Sequence, residues 1–275
     1  MLSCRGVMQI AQPPIPRLRP ARDLRADDWA RLQEPLAAPL YQSILECIPI
    51  HGRCLLLDVG CGSGLFCEMA CRVGATPTGL DLSPALIGIA RQRECAGRFA
   101  IGDMLSLPYD DASFHVVTAI DSVQRASQLL PVMSEARRVS RPGGAVVVAT
   151  LGPASGCEAL AYLRALSALA GDRAGAFIHS EDGTLERVAT DAGLAPVLVE
   201  DVECTWSWPD LETAQRSLMA GGVAALAIEL AGETAVSEAI AEALRPFRAA
   251  SGSFALRNRY RYVIAVTPTN GPDAA

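Results

Sequence analysis

The stretch from Leu57 to Leu65, Leu-Asp-Val-Gly-Cys-Gly-Ser-Gly-Leu, constrains this chain more than any other segment. With Leu55 and Leu56 before it, the apolar run closing at Val59 reads as a short buried strand. Gly60, Gly62 and Gly64 follow at alternate positions, and the amphipathic stretch Leu65 to Val73 then reads as a helix. Strand, glycine turn and helix open a nucleotide-binding βαβ unit. The glycines let backbone approach a ligand closely, and the helix N-terminus offers unpaired N–H groups to negative charge. Asp81 follows the next apolar strand, Pro77 to Leu80, where a carboxylate can accept from both hydroxyls of a ribose.

The glycine spacing bears on which nucleotide is bound. Dinucleotide dehydrogenases carry Gly-x-Gly-x-x-Gly, whereas this chain has Gly60-x-Gly62-x-Gly64 preceded by Asp58. A carboxylate at the loop entrance repels a pyrophosphate and suits a ligand with an ammonium group, such as S-adenosylmethionine. Three further segments follow in order: Gly79-Leu80-Asp81-Leu82-Ser83-Pro84, then Gly102-Asp103-Met104 with Leu107-Pro108, then Asp121-Ser122-Val123-Gln124 with Arg141-Pro142-Gly143-Gly144 behind it. On these motifs, spanning roughly residues 54–151, the chain resembles the class I S-adenosylmethionine-dependent methyltransferases. Within them it is similar to the small-molecule group that includes the ubiquinone and menaquinone C-methyltransferases.

The resemblance implies roles residue by residue. Asp58 and Gly60 would contact the methionine end of the cofactor, with Gly62 letting backbone pass close beneath it, and Gly64 completing the loop. Asp81 would bind the ribose diol and Leu82 pack on adenine. Asp103 would accept from the exocyclic amine, with Met104 on the ring. Asp121 and Ser122 would line the amino-acid end. Cys61, inside the loop, reads as a small apolar filler beside the cofactor. Alternatives stay open: Asp81 could simply open the turn at Ser83-Pro84, and Asp103 could hold a tight loop after Gly102.

Composition narrows the partners. The net charge is −6, and all 24 basic residues are arginine. An acidic chain without a basic cluster speaks against a nucleic-acid substrate. Nine cysteines without a Cys-x-x-Cys pair exclude zinc-finger spacing, and no metal is expected. With no secretion signal or membrane span in view, the thiols are expected to be reduced and the protein cytoplasmic. The apolar run Leu218 to Leu230 is too short to cross a bilayer. The oligomeric state is left open.

The alternation of strands and helices predicts an α/β fold: a doubly wound, mostly parallel, seven-stranded Rossmann-like sheet. By resemblance, the last strand, Phe254 to Thr267, is antiparallel beside the sixth, and a helical cap lies over the active site. The expected organisation is an N-terminal segment with helices (1–50), the cofactor-binding core (51–155), the rest of the sheet with a cap at about 209–249 (156–268), and a disordered tail (269–275). Helices are expected over Trp29 to Ile48, broken at Pro35 or Pro39, and from Pro84 to about Cys95.

Methyl transfer from a sulfonium needs alignment and exclusion of water more than a catalytic triad. Gln124, beyond the fourth strand, is a candidate for hydrogen bonding to substrate, and His179 a candidate general base or helix cap. Tyr41 is a further substrate-side candidate. His51 and His115 read as surface and structural. Trp206, Trp208 and Phe177 would line an acceptor pocket or cement the cap to the sheet. Arg257, Arg259 and Arg261 share one strand face and would hold an acidic group or face solvent. The expected activity is transfer of a methyl group from S-adenosylmethionine to a small organic acceptor at O, N or C, leaving S-adenosylhomocysteine. One alternative is a protein of this fold that binds the cofactor for another role, such as cyclisation. Another is arsenite methylation, suggested by Cys67 near the start of the first core helix with Cys157 and Cys204 later. In the bland reading, Cys67 and Cys71 are buried apolar residues on one helix face.

Overall fold

The computed structural model describes residues 23–123, 126–170 and 181–269. An N-terminal segment winds through a short α turn (Ala26–Asp28), a π turn (Trp29–Gln33) and a 3-10 turn (Glu34–Ala37) into α1 (Ala38–Cys47). Then come β1 (Leu55–Val59), α2 (Leu65–Arg72), β2 (Thr76–Asp81), α3 (Pro84–Ala90), β3 (Arg98–Ile101) and β4 (Phe114–Ile120). They are followed by α4 (Ala126–Val139), β5 (Ser140–Leu151), α5 (Leu160–Leu169), α6 (Thr184–Asp191) and β6 (Ala195–Trp208). The chain ends with α7 (Leu211–Met219), α8 (Gly222–Ala231), α9 (Glu233–Leu244) and β7 (Phe254–Val266).

The seven strands form one sheet in the order β3-β2-β1-β4-β5-β7-β6. β1 to β5 are mutually parallel, and β7 runs antiparallel to both β5 and β6. This is the expected sheet. Its central strands are buried on both faces: Leu56, Val116 and Val147 point into one core layer and Leu57, Val117 and Val146 into the other. The first layer holds α1, α2, α5 and the cap helices α7 to α9; the second holds α4 and α6. The strand order reverses between β1 and β4, so the carboxyl ends of these strands splay apart and leave a crevice.

Several boundaries differ from the sequence expectation, each for a local reason. The N-terminal helix breaks at Pro35, inside the 3-10 turn, while Pro39 sits in the first turn of α1, where its missing N–H costs nothing. α3 ends at Ala90 and not near Cys95, because Arg93 folds back to pair with Glu34 and Glu68 and Cys95 is bonded to Cys71. β5 starts at Ser140 and carries Pro142, Gly143 and Gly144 as an irregularity in its ladder with β4. The Cys71–Cys95 disulfide, Cα–Cα 5.9 Å, overturns the expectation of wholly reduced thiols and of Cys71 as a buried apolar residue. Cys67 is buried as expected. The tail 270–275, the N-terminal residues 1–22, Gln124, Phe177 and His179 lie outside the described residues.

The last two strands bring the aromatic residues together. Trp206 stands 6.3 to 6.5 Å, centroid to centroid, from the rings of Tyr162, Trp208 and Tyr260. Trp208 is buried in the layer that joins cap and sheet and lines neither the crevice nor a second, smaller cavity beside Trp206, which fits a role in cementing the cap. Arg257, Arg259 and Arg261 are ion-paired along the strand face to Glu158, Asp201, Glu203 and Asp182, which accounts for them without a ligand. Trp208→Ala is expected to destabilise the fold by about 3–5 kcal/mol, read as a shift of the urea midpoint. A shift worth less than about 1 kcal/mol would show that the cap is not anchored there.

Candidate functional site

The crevice at the ends of β1, β2 and β4 encloses about 180 Å³. Of the eleven residues expected at the cofactor, ten line it: Asp58, Gly60, Cys61, Gly62, Asp81, Leu82, Asp103, Met104, Asp121 and Ser122. Gly64 does not line it. It takes φ +81 at the start of α2, and a Cβ there would meet the Ala90 methyl at 2.9 Å, so its role is packing α2 on α3. The two expected catalytic residues, Gln124 and His179, lie outside the described residues.

The glycine loop is held by close contacts on every side. A Cβ on Gly60 would fall 2.3 Å from the Ser122 Cβ, and the Ser122 hydroxyl donates to the Val59 carbonyl at 2.9 Å. A Cβ on Gly62 would fall 2.8 Å from a Glu34 carboxylate oxygen. Gly62 thus admits the N-terminal segment, a reason for glycine that differs from close passage beneath a cofactor. Glu34 is 3% exposed. It accepts from the Ser63 N–H at 2.9 Å and from Arg93 at 2.9 Å, and bonds the Ser63 hydroxyl. Arg93 also donates to Ser63 and to Glu68. Burial raises the Glu34 pKa, opposed by Ser63 and the Arg93 charge.

Besides Glu34, four aspartates line the crevice. Asp81 accepts from the Gly62 N–H at 3.1 Å and the Ser83 N–H at 2.9 Å, one on each oxygen, which leaves lone pairs on both. It therefore both holds the loop and opens the next turn. Asp103 accepts from the Leu105 N–H at 2.9 Å, so it does tie its own loop, while still lining the crevice. Asp58 accepts from the Thr118 hydroxyl at 2.7 Å. Burial pushes its pKa up to about 7, and the charges of Glu34 and Asp81 add to this. Asp121 takes φ +48 at the end of β4, with its N–H donating to the Ala149 carbonyl at 2.8 Å.

The cysteines of the loop and those of the arsenite alternative are buried. Cys61 packs with Cys67, Ile87, Ala90 and Phe99, the apolar filler expected of it, and burial raises its pKa. Cys67, Cys157 and Cys204 are also buried, and burial raises each pKa. Among the described residues, no group of three or more His, Cys, Asp or Glu is placed to hold a metal ion. Nor, among them, is any helix long and apolar enough to cross a membrane. His115 accepts from the Leu55 N–H at 3.0 Å and contacts Arg141, a role within the sheet.

Sequence reasoning missed the wall made by the N-terminal segment and β7: Trp29, Gln33, Glu34 and Tyr260 line the crevice, together with Phe66 and Gln128. One signal was present. Glu34, Ala37, Tyr41 and Ile44 recur at helical spacing, which puts an acid on an otherwise apolar stripe.

Comparison with known proteins agrees with this geometry. Residues 57–148 match the family model described as a methyltransferase domain. The chain is 30% identical over 198 residues to a malonyl-[acyl-carrier protein] O-methyltransferase of Dechloromonas aromatica, covering 71% of each chain. It is 42% identical over 94 residues, 34% of this chain and 39% of the other, to a demethylmenaquinone methyltransferase of Chlorobaculum tepidum. Against three other malonyl-[acyl-carrier protein] O-methyltransferases it spans 39 to 60% of the relative's length. In fold it is similar to the geranyl diphosphate C-methyltransferase of Streptomyces coelicolor A3(2), with TM-score 0.54, 20% identity, and 94% and 86% of the two chains covered. It is also similar to the [4+2]-cyclase SpnF, with TM-score 0.56, 21% identity, and 87% and 85% covered. The chain belongs to the class I S-adenosylmethionine-dependent methyltransferase family.

The raised pKa of Asp58 fixes the sign of a stability effect. Between its unfolded value, 3.8, and about 7 the folded chain binds the extra proton, so this group's contribution falls as pH rises through that window. Asp58→Asn keeps an acceptor for Thr118 and removes the buried charge. It is expected to stabilise the unliganded protein by roughly 2–4 kcal/mol at pH 8, with the gain vanishing near pH 4. Denaturant titrations of both proteins across this range check it; a gain independent of pH would contradict it.

Proposed function

We propose that this crevice binds S-adenosylmethionine and that the chain transfers its methyl group to a small organic acceptor. The observation that carries the reading is the convergence of Asp58, the glycine loop, Asp81, Asp103 and Asp121 on one crevice at the sheet's switch point. These groups match the parts of the cofactor in order. Asp58, charged above about pH 7, suits the ammonium of the methionine end. The free lone pairs of Asp81 suit the ribose hydroxyls, and Asp103 the exocyclic amine of adenine, with Leu82 and Met104 against the ring. Bound there, the cofactor supplies an activated methyl on a positively charged sulfur. The four aspartates favour that cation over its neutral product, which assists release of S-adenosylhomocysteine after transfer.

The curated relatives are named for malonyl-[acyl-carrier protein] and demethylmenaquinone as acceptors. An acceptor of that general kind, a small organic molecule or a carried acyl group, is the class proposed for this chain. The cyclisation alternative uses the same cofactor site and differs in its product: only methyl transfer releases one S-adenosylhomocysteine per turnover.

Asp81→Asn tests the site. One charged acceptor of the ribose diol is lost, so affinity for S-adenosylhomocysteine should fall about tenfold or more in calorimetry. Unchanged affinity would remove the ribose from Asp81 and with it the proposed pose.

A further inference from the structure

Cys71 stands in the last turn of α2, and Cys95 in the stretch 91–97 that joins α3 to β3 without helix or strand. Their disulfide ties this stretch covalently to α2. Two residues before Cys95, Arg93 donates to the Ser63 carbonyl, to the Ser63 hydroxyl at 2.8 Å, to Glu68 at 2.8 Å and to Glu34 at 2.9 Å. Glu68 is three residues before Cys71 on α2, so the disulfide and the Arg93–Glu68 pair close one ring. One residue further back, the Cys67 thiol donates to Asp58 at 3.7 Å. The disulfide is thus one helical turn from a contact to Asp58 and two residues from the arginine that holds Glu34.

We propose that the Cys71–Cys95 disulfide is a redox switch on the cofactor site: intact, it holds Arg93 against Glu34 and keeps the N-terminal wall of the crevice closed; reduced by a dithiol, it frees that wall and weakens S-adenosylmethionine binding. The inference rests on the S-adenosylmethionine reading above. The wall is the segment that carries Trp29, Gln33 and Glu34. Its other ion pairs among the described residues, Arg25–Glu233 and Asp28–Arg216, run to the cap, and each has a partner more than half exposed. Such pairs contribute little. Glu34 differs: it is buried, and Arg93 and Ser63 are what meet its charge. Holding an arginine side chain in one rotamer costs conformational freedom. The disulfide lowers that cost by restricting the backbone two residues away. Once the bond is cut, the stretch 91–97 regains its freedom and Arg93 leaves Glu34 for part of the time. A buried carboxylate without its cation is driven towards water, and it takes Trp29 and Gln33 with it. Only the fraction with the wall docked then binds cofactor, so apparent affinity falls by that fraction.

Cys71 and Cys95 are both partly exposed, whereas Cys54, Cys61, Cys67, Cys157 and Cys204 are buried. In the step, a thiolate of the dithiol attacks one sulfur of the pair. The Cys71–Cys95 bond breaks, and its electron pair leaves with the other sulfur, which takes up a proton. The second thiol of the reagent then displaces the first cysteine from the mixed disulfide. Two electrons and two protons pass to the protein, giving two protein thiols and the cyclic disulfide of the reagent.

The test uses the full chain in two states, oxidised and equilibrated with excess dithiothreitol, with differential alkylation and peptide mapping to follow Cys71 and Cys95. Affinity for S-adenosylhomocysteine in calorimetry should be about tenfold or more lower in the reduced protein and return on reoxidation with oxidised glutathione. Amide hydrogen exchange at residues 29–37 should be faster in the reduced state, with the circular dichroism spectrum unchanged. The double variant Cys71→Ser/Cys95→Ser should bind as weakly as the reduced protein and ignore dithiothreitol. Affinities within about twofold in the two wild-type states overturn the inference, as does unchanged exchange at residues 29–37. A disulfide that dithiothreitol leaves intact in the folded protein also overturns it, and so does a dithiothreitol response that persists in the double variant. Loss of the circular dichroism signal on reduction makes the bond a structural one and overturns the switch. Protein that binds no S-adenosylhomocysteine in either state, yet exchanges faster at residues 29–37 when reduced, overturns the cofactor reading and upholds the release of the wall.

Discussion

Three missing side chains hold this site together. Gly60, Gly62 and Gly64 each leave a space that another element fills: Ser122 after β4, Glu34 and Trp29 of the N-terminal segment, and Ala90 of α3. Any Cβ in the loop would push one of these elements away. The loop is thus the point where β1, β4, the N-terminal segment and α3 are brought into one register. The crevice above it inherits its shape from that packing. All three glycines have positive φ, between 56° and 81°, so backbone conformation and close approach demand the same residue.

Around the loop the structure concentrates buried negative charge. Asp58, Asp81 and Glu34 are all at most 4% exposed. Their costs are met differently. Glu34 has Arg93 and Ser63, and acts as a fixed strut between the N-terminal segment and the loop. Asp81 has two backbone N–H groups. Asp58 has one hydroxyl and a thiol, Thr118 and Cys67, and among the described residues no cation pairs with it. Burial lifts its pKa to about 7. A carboxylate left short of partners at the mouth of a nucleotide loop is poised for a cationic ligand, and the sulfonium cofactor brings both an ammonium and a second positive charge.

Much of this was legible in the sequence because the cofactor side of the site is built from contiguous motifs. A strand end, its following loop and the next helix start carry Asp58 to Gly64, and the same holds for Asp81 to Ser83 and for Asp121 and Ser122. Each motif follows its own parallel strand, and the sheet sets these strands side by side in the order β2-β1-β4. The other wall was not legible. Trp29, Gln33 and Glu34 reach the loop only through the tertiary path of the N-terminal segment, and Tyr260 arrives from the last strand, which pairs with β5. No local spacing predicts such a meeting. The disulfide was missed for the same reason: Cys71 and Cys95 lie 24 residues apart and meet only because α2 and the turn after α3 are packed together. The period-two arginines of β7 were visible, but their partners on β6 and before α6 were not.

The central claim is that an acidic, glycine-lined crevice of this shape selects a sulfonium nucleoside over a pyrophosphate nucleotide. Calorimetric titration of the unmodified protein with S-adenosylmethionine, and separately with NAD at the same ionic strength, measures that selection directly. The account predicts a saturable, near-stoichiometric binding isotherm for S-adenosylmethionine in the micromolar range and no measurable heat of binding for NAD. Binding of NAD in preference to S-adenosylmethionine would contradict it.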